Sequence, residues 1–340
     1  MKNINNRLRT FFLLVFVMAT CFVAYSQKET TNNKVLRSAS VSDDTIWQNP
    51  NVYTIDSDHP AAKEEVAPDA STEPETTAPK KVKPTRTFVS TWLIDNQTVT
   101  VPTKGSSQMD IMHRFGPCKN GYKDFFGFFA SSNIRLGYNY VPIENLMVGA
   151  SLTKANMTWE FIVKYAIIKQ TKGTWWKYFS LTYFGDMAVE SRKKDFYIHK
   201  TDRLSYFHQL ILARRFHERI AIEVAPSWTH YNVVDGYFSE PGVVSPARKH
   251  DHFAISVNGS IMLKKNMNFM INWDQPLTKH KSGNPHPNLA FGIEFATSGH
   301  AFQVFAGQYY SITPQRNNYF NQNGWKYYLL GFNITRLWNF

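Results

Sequence analysis

The stretch NIRLGYNY, residues 133–140, alternates apolar and polar residues without a break. Its even-numbered residues are Ile, Leu, Tyr and Tyr, and its odd-numbered residues are Asn, Arg, Gly and Asn. Successive side chains of a β-strand point to opposite faces, so this pattern predicts a strand with one apolar and one polar face. The same alternation recurs clearly in segments 146–154, 158–169, 220–231, 251–263, 267–275 and 288–297. It is weaker in 107–115, 175–187, 203–216 and 301–309, and in 203–216 the pattern favours neither face. We therefore predict an all-β chain.

The connections between these segments also alternate in length. The long connections are 116–132, 188–202, 232–250, 276–287 and 310–324. The short ones are 141–145, 170–174, 217–219, 264–266 and 298–300, and only 155–157 is short where a long one is expected. Transmembrane barrels have short periplasmic turns and longer outer loops, whereas a soluble β-sandwich has no reason for this parity. We predict a transmembrane antiparallel up-and-down β-barrel of about twelve strands, within a range of about 10 to 14.

Composition agrees with this class. The chain has 340 residues, with 38 Lys or Arg and 26 Asp or Glu, so its formal net charge is +12. Aromatic residues make up 15%, which is too many for a disordered protein. Two cysteines exclude a disulfide framework and a Cys-rich zinc module. The only continuous apolar run is near the N-terminus, which excludes a helical membrane protein.

The first 84 residues divide into two segments. Lys2, Arg7 and Arg9 precede the apolar run 11–23, and small residues follow up to Ser26, so residues 1–26 read as a secretory signal peptide. Residues 27–84 are poor in apolar residues and contain scattered Pro and Thr, which predicts a disordered linker. We expect the barrel at residues 85–340, in the outer membrane of a Gram-negative bacterium, with the linker and the C-terminus in the periplasm.

The C-terminal residues resemble the terminal-strand signal that the barrel-assembly machinery recognises. The alternate apolar positions of this signal are Phe332, Ile334, Trp338 and Phe340. Tryptophans fall where strands meet the two membrane interfaces, which indoles prefer. On the periplasmic side we place Trp175, Trp176 and Trp338, and on the outer side Trp159, Trp228, Trp273 and Trp325.

Several ordered blocks carry a family resemblance. They are Phe126-Gly127, SNIRLG at 132–137, LMVG at 146–149, HRFG at 113–116, RLSYFHQL at 203–210, GHAFQ at 299–303 and GFNITR at 331–336. Together they resemble an uncharacterised β-barrel family of Bacteroidota outer membranes, known as a domain of unknown function, from about Arg86 to Phe340. The resemblance implies a barrel in the outer membrane and implies no established activity.

Two sets of charged residues are candidate functional positions. Those expected to face the lumen are Arg135, Glu160, Lys164, Glu223, His252, Asp274 and Glu294. They line either a narrow aqueous channel or a salt-bridged plug, and mixed buried charges favour the plug. Basic residues expected on outer loops are Arg192, Lys193, Lys194, Arg248, Lys249, Lys279 and Lys281. They form either a cationic rim for lipid phosphates or anions, or solvated loop tips.

Chemical sites are not evident. In the predicted strands no His-x-Ser pair occurs, whereas outer-membrane lipid hydrolases carry such a pair on a strand. We expect no enzyme, no catalytic residue, no cofactor and no metal. The expected partners are outer-membrane lipids, the assembly machinery and envelope proteins reached through the linker, and no nucleic acid. Three functions remain: a narrow pore for small or anionic solutes, a closed structural or partner-binding barrel, and, least favoured, a lipid-acting enzyme.

A small extra hairpin precedes the first barrel strand. Its strands are 87–92 and 97–101, with a turn at Asp95-Asn96. It would plug the periplasmic mouth, extend the barrel to fourteen strands, or lie beside the barrel, and the sequence does not choose.

Overall fold

The computed structural model describes residues 85–173, 177–193 and 197–339. The predicted signal peptide and linker lie outside the described residues, and so do Trp175, Trp176, Lys194 and Phe340. No helix in the described ranges is long and apolar enough to cross a membrane.

Within those ranges, twelve strands close into one antiparallel barrel, which confirms the predicted fold. All strands, in chain order, are β1 (Trp92–Leu93), β2 (Asn96–Gln97), β3 (Ser107–Pro117), β4 (Asn133–Ile143), β5 (Leu146–Thr153), β6 (Thr158–Ile168), β7 (Ser180–Glu190), β8 (Leu204–His217), β9 (Ile220–Tyr231), β10 (Gly236–Glu240), β11 (Val243–Pro246), β12 (Asp251–Lys264), β13 (Met267–Pro276), β14 (Asn288–Ala296), β15 (His300–Gly307) and β16 (Leu329–Trp338). The barrel runs from β3 to β9 and from β12 to β16, each strand pairs with the next, and β16 pairs with β3.

The barrel wall is apolar outside and largely polar inside. On β4, Leu136 and Tyr138 are 46% and 56% exposed, whereas Arg135 and Asn139 are buried. A soluble protein buries its apolar residues and exposes its polar ones. The opposite arrangement fits a barrel whose outer surface is covered by lipid.

A hairpin of β1 and β2 lies inside this barrel. Trp92 pairs with Gln97 and Leu93 with Asn96, so the turn is at Ile94 and Asp95, one residue earlier than predicted. Ile94 has a positive φ of 59° and is fully buried. Of the three positions that the sequence left open, the structure shows the hairpin in the lumen, and the barrel keeps twelve strands.

A short helix also folds into the lumen from the end with the long loops. This lumenal helix, Pro314–Phe320, buries five of its seven residues. The sequence analysis did not predict this helix, because the segment lacks an apolar stripe at helical spacing. The last strand accordingly begins at Leu329, after the predicted start at Trp325.

The strand whose face could not be predicted has an unusual inner side. On β8 the inward residues include Phe207 and Ile211, both buried, while Leu210 and Leu212 face outward and are exposed. Apolar residues on both faces remove the period-two contrast on which the prediction depends.

The first long loop contains a constrained backbone. It begins with a 3-10 segment, Cys118–Asp124, and continues through Phe125, Phe126 and Gly127, whose φ values are 52°, 55° and 89°. Left-handed backbone costs about 1–3 kcal/mol at a non-glycine residue, so the surrounding contacts must hold it. A Cβ at Gly127 would lie 2.1 Å from the Gly116 carbonyl oxygen, which leaves room only for glycine.

Candidate functional site

The hairpin is held in the lumen by polar contacts along one side. Asp95 forms a buried ion pair with Arg114 on β3. The Asn96 side-chain amide donates to Asp274 on β13 at 2.6 Å and to Asn258 on β12 at 3.1 Å. These contacts connect the turn of the hairpin to three strands of the wall.

Backbone groups of the hairpin are also satisfied by wall side chains. Gln303 accepts from the Ile94 N–H at 3.2 Å and donates to the Trp92 carbonyl at 2.9 Å. Asn333 on β16 donates to the Ile94 carbonyl at 2.7 Å. Lys164 Nζ donates to the Gln97 side-chain oxygen at 2.8 Å. A buried backbone group without a partner is costly, so these bonds fit the wall to this particular occupant.

The other side of the hairpin packs on an apolar part of the wall. The Trp92 ring lies edge-on to Phe184, with centroids 6.5 Å apart, and Phe184 lies 6.1 Å from Phe207. Hairpin and wall residues of this cluster include Phe88, Leu93, Ile94, Val99, Val101, Met147, Ile162, Ala166, Phe184, Phe207, Ile211, Ala213, Ala221 and Ala225. The lumen therefore contains an apolar core as well as a polar network.

Trp92 links this core to the buried charges. Its Nε1 donates to Asp110 at 3.0 Å, and the Arg135 guanidinium lies 4.8 Å from its ring centroid. Arg135 Nε in turn donates to Glu160 at 2.9 Å, and Ser151 and Thr153 donate to the same carboxylate. Buried charges need partners, and these two have them.

The lumenal helix occupies the opposite end of the lumen. Arg316 pairs with Glu190 at 2.7 Å, and the Tyr319 hydroxyl donates to the Lys249 carbonyl at 2.7 Å. Arg248 donates to the Tyr319 carbonyl at 2.7 Å. The hairpin and the lumenal helix thus fill the barrel from its two ends.

A cavity of about 420 Å³ opens at the end with the short turns. Thr91 and Val99 of the hairpin segment line it together with Lys169, Ser180 and His300 of the rim.

The seven predicted lumen residues all lie inside the barrel and are buried: Arg135, Glu160, Lys164, Glu223, His252, Asp274 and Glu294. Two of them pair with each other, and Lys164 and Asp274 contact the hairpin. The others bind wall or loop side chains: Glu223 with Asn258, Glu294 with Gln303, and His252 with His280.

Four buried charges of the barrel wall were missed. They are Asp110, Arg114, Asp186 and Glu190. Asp110 and Arg114 lie on β3, where the alternation is weak, although inward parity in that segment would have identified them.

The His280 contacts fix the tautomers of a histidine pair. His280 Nδ1 accepts from the Lys249 backbone N–H at 3.0 Å, so its Nε2 carries the proton and donates to His252 Nδ1 at 3.0 Å. Burial, together with the charges of Arg248 and Lys249, lowers the pKa of the His280 imidazole, which lies in the loop between β13 and β14. The neutral form that this bonding requires is therefore the favoured one.

Those basic outer-loop residues that the structure describes share one end of the barrel but differ in environment. Arg192 pairs with Glu190 at 2.5 Å, and Arg248 pairs with Asp235 at 3.5 Å. The exposed members are Lys193, Lys249, Lys279 and Lys281. In the terminal strand, Phe332, Ile334 and Trp338 lie on the outward face of β16. Across the described ranges, no group of three or more His, Cys, Asp or Glu residues could hold a metal ion.

The closed wall, its outward apolar surface and its filled interior define a membrane-bound β-barrel. The chain belongs to the family described as "Membrane bound beta barrel domain (DUF5777)", whose model matches residues 88–338. No curated protein matches the chain.

Solved barrels are similar in fold. The NanC porin is 10% identical, with a TM-score of 0.41 over 68% of this chain and 98% of that one. The KdgM porin is 10% identical, with a TM-score of 0.40 over 67% and 98%. The COG4313 outer membrane channel from Pseudomonas putida F1 is 11% identical, with a TM-score of 0.41 over 70% and 97%.

Proposed function

We propose that this protein is a closed outer-membrane barrel that serves as a structural or partner-binding component of an envelope assembly. The observation that carries this proposal is the apolar patch on the inner wall. An open aqueous pore would expose Phe184, Phe207 and Ile211 to water, whereas the hairpin buries them. The wall is thus complementary to a resident segment, which supports a barrel that stays closed.

The chain enters the barrel at the end with the short turns. The Thr85 N–H donates to the Gln170 carbonyl at 2.8 Å, and Thr87 bonds Ser180 at 3.2 Å. We propose that the short turns are periplasmic and that residues 27–84, which precede Thr85 in the sequence, recruit the envelope partner.

A second candidate is a pore that conducts after the hairpin withdraws. The polar half of the wall favours it, because that half would remain wettable. Its carboxylates are Asp110, Glu160, Asp186, Glu190, Glu223, Asp274 and Glu294, and its basic residues are Arg114, Arg135 and Lys164. The excess of carboxylates supports selectivity for cations rather than for the anions suggested by the outer loops.

Conductance in planar bilayers distinguishes the two candidates. We expect the purified wild-type protein to be silent and a variant lacking residues 86–101 to conduct. The matched control lacks residues 237–245 of the exposed β10–β11 hairpin, outside the lumen, and should stay silent. Stable conductance of the wild-type protein would refute the closed barrel. Partners that co-purify with the full chain should be lost when residues 27–84 are deleted.

A further inference from the structure

The first long loop carries an exposed cluster of aromatic side chains. We name it the aromatic ledge, and its members are Tyr122, Phe125, Phe126, Phe128 and Phe129. Tyr122 and Phe129 are each 84% exposed, and the other three are between 38% and 51% exposed. Exposed apolar clusters of this kind mark a surface that is covered by something other than water.

The aromatic ledge is continuous with the outward wall of the barrel. Phe128 lies 4.4 Å, centroid to centroid, from Phe115, an outward residue of β3. Phe115 lies 6.0 Å from Phe332, an outward residue of β16. Phe125 extends the chain of rings to Phe129, at 6.0 Å. The same apolar surface therefore runs from the wall onto the loop.

The loop is built to hold this arrangement. The Asp124 carboxylate accepts from the Gly127 N–H at 3.0 Å and from the Asn120 side-chain amide at 2.7 Å. The Gly116 N–H donates to the Gly127 carbonyl at 3.0 Å, which fixes the loop to the end of β3. Positive φ angles at Phe125 and Phe126 are thus part of a bonded loop rather than of a free tip.

We propose that the aromatic ledge lies in the lipid bilayer, at the boundary between headgroups and acyl chains of the leaflet on the long-loop side. The wall that it continues faces hydrocarbon, and aromatic rings prefer this boundary. Lys119 and Lys123, both exposed, flank the rings and supply positive charge at the level of lipid phosphates. The proposed occupant of this surface is therefore lipid whose headgroup carries phosphate.

The β10–β11 hairpin offers a matched comparison. Phe238, in the middle of β10, is 75% exposed, close to the 84% of Phe129. Within the described part of the chain, no ring contact joins Phe238 to the barrel wall. Phe129 and Phe238 are thus similarly exposed, but only Phe129 is connected to the barrel wall through ring contacts. The two positions can therefore be compared in one protein.

Site-specific fluorescence tests the proposal. In a background with Cys21→Ser and Cys118→Ser, Phe129→Cys and Phe238→Cys are each labelled with an environment-sensitive fluorophore. The proteins are reconstituted in vesicles of phosphatidylethanolamine and phosphatidylglycerol, with or without a nitroxide on the acyl chain near the headgroup. Aqueous iodide serves as the opposing quencher.

We expect the label at position 129 to be quenched by the nitroxide lipid and to be several-fold less sensitive to iodide than the label at position 238. Exposed single substitutions should leave the barrel folded, and heat-modifiable electrophoretic mobility checks this. Equal iodide quenching at the two positions would overturn the proposal. The vesicles contain no other protein, so this result would also be the one expected if a protein, and not lipid, covers the loop in cells. A second label at Tyr122→Cys should behave like the one at position 129, and iodide access at both positions would overturn the proposal independently.

Discussion

Removing the carboxylate of Asp95 should release the hairpin from the lumen. Asp95 and Arg114 form an ion pair in which the side chains are 3% and 0% exposed. Asp95→Ala leaves the guanidinium buried without its carboxylate, although Asn333 still accepts from it at 3.0 Å. The orphaned charge, rather than the lost bond itself, is the main cause of the expected effect.

Breaking a buried ion pair by removing one partner typically costs about 3–5 kcal/mol. Because about 1.4 kcal/mol corresponds to a tenfold change in an equilibrium constant, the undocked population should rise roughly a hundred- to several-thousand-fold. The control is the surface pair Lys169–Glu144, whose side chains are 33% and 63% exposed. Glu144→Ala should change stability by about 0–1 kcal/mol.

The assay is the rate at which a thiol reagent labels a cysteine that only undocking exposes. Thr98→Cys is suitable because Thr98 is fully buried, and Cys118→Ser removes the other thiol of the barrel domain. When docking is fast compared with labelling, the rate is proportional to the undocked population. Equal rates in the Asp95→Ala and Glu144→Ala proteins would refute the reasoning. The double variant Asp95→Ala with Arg114→Met, which has no orphaned charge, should label more slowly than Asp95→Ala alone.

Two further predictions concern the loops. Because the pKa of His280 is lowered in the folded loop, the stabilisation from its neutral form should be complete above the unfolded pKa of about 6.5 and should be lost as the pH falls below that value. The protection factor of the Lys249 amide, which compares its exchange with that of an unprotected amide at the same pH, should therefore fall in acid, and His280→Gln should weaken this dependence; an unchanged acid response would contradict the assignment. Gly127→Ala places a methyl group against the Gly116 carbonyl and should make the first long loop several-fold more sensitive to protease. Gly173→Ala is the control, because open space surrounds Gly173, and it should increase the protease sensitivity of its own turn by less. Equal increases in the two variants would contradict the steric argument.

The barrel was predictable because lipid and lumen impose opposite preferences on alternate residues. Arg135 and Leu136 are neighbours in sequence, yet one is buried and the other is exposed, as the period-two pattern of β4 requires. The lengths of the connections then gave the closed, antiparallel order. The alternation and the connection lengths are both local features, so both can be read from one sequence without an alignment.

The contents of the lumen were less predictable, because they depend on contacts between residues that are far apart in sequence. Asn96 hydrogen-bonds Asp274, and Ile94 hydrogen-bonds Gln303 and Asn333. No pattern in the sequence around these residues predicts the contacts. The apolar residues on the inner face of β8 are explained only by their packing against the hairpin, which the sequence does not reveal. The sequence predicted seven of the buried polar wall residues and missed others such as Asp110 and Arg114, and it did not predict what they bind.

A cylinder made from one sheet has a single seam, where its first and last strands meet, and here the seam joins β3 to β16. The hairpin crosses it from within, since Asp95 binds Arg114 on β3 and the Ile94 carbonyl accepts from Asn333 on β16. Lateral separation of these two strands would therefore break the hydrogen bonds between them and also their polar contacts with the hairpin. The hairpin thus reinforces from the inside the junction between the first and the last strands of the wall.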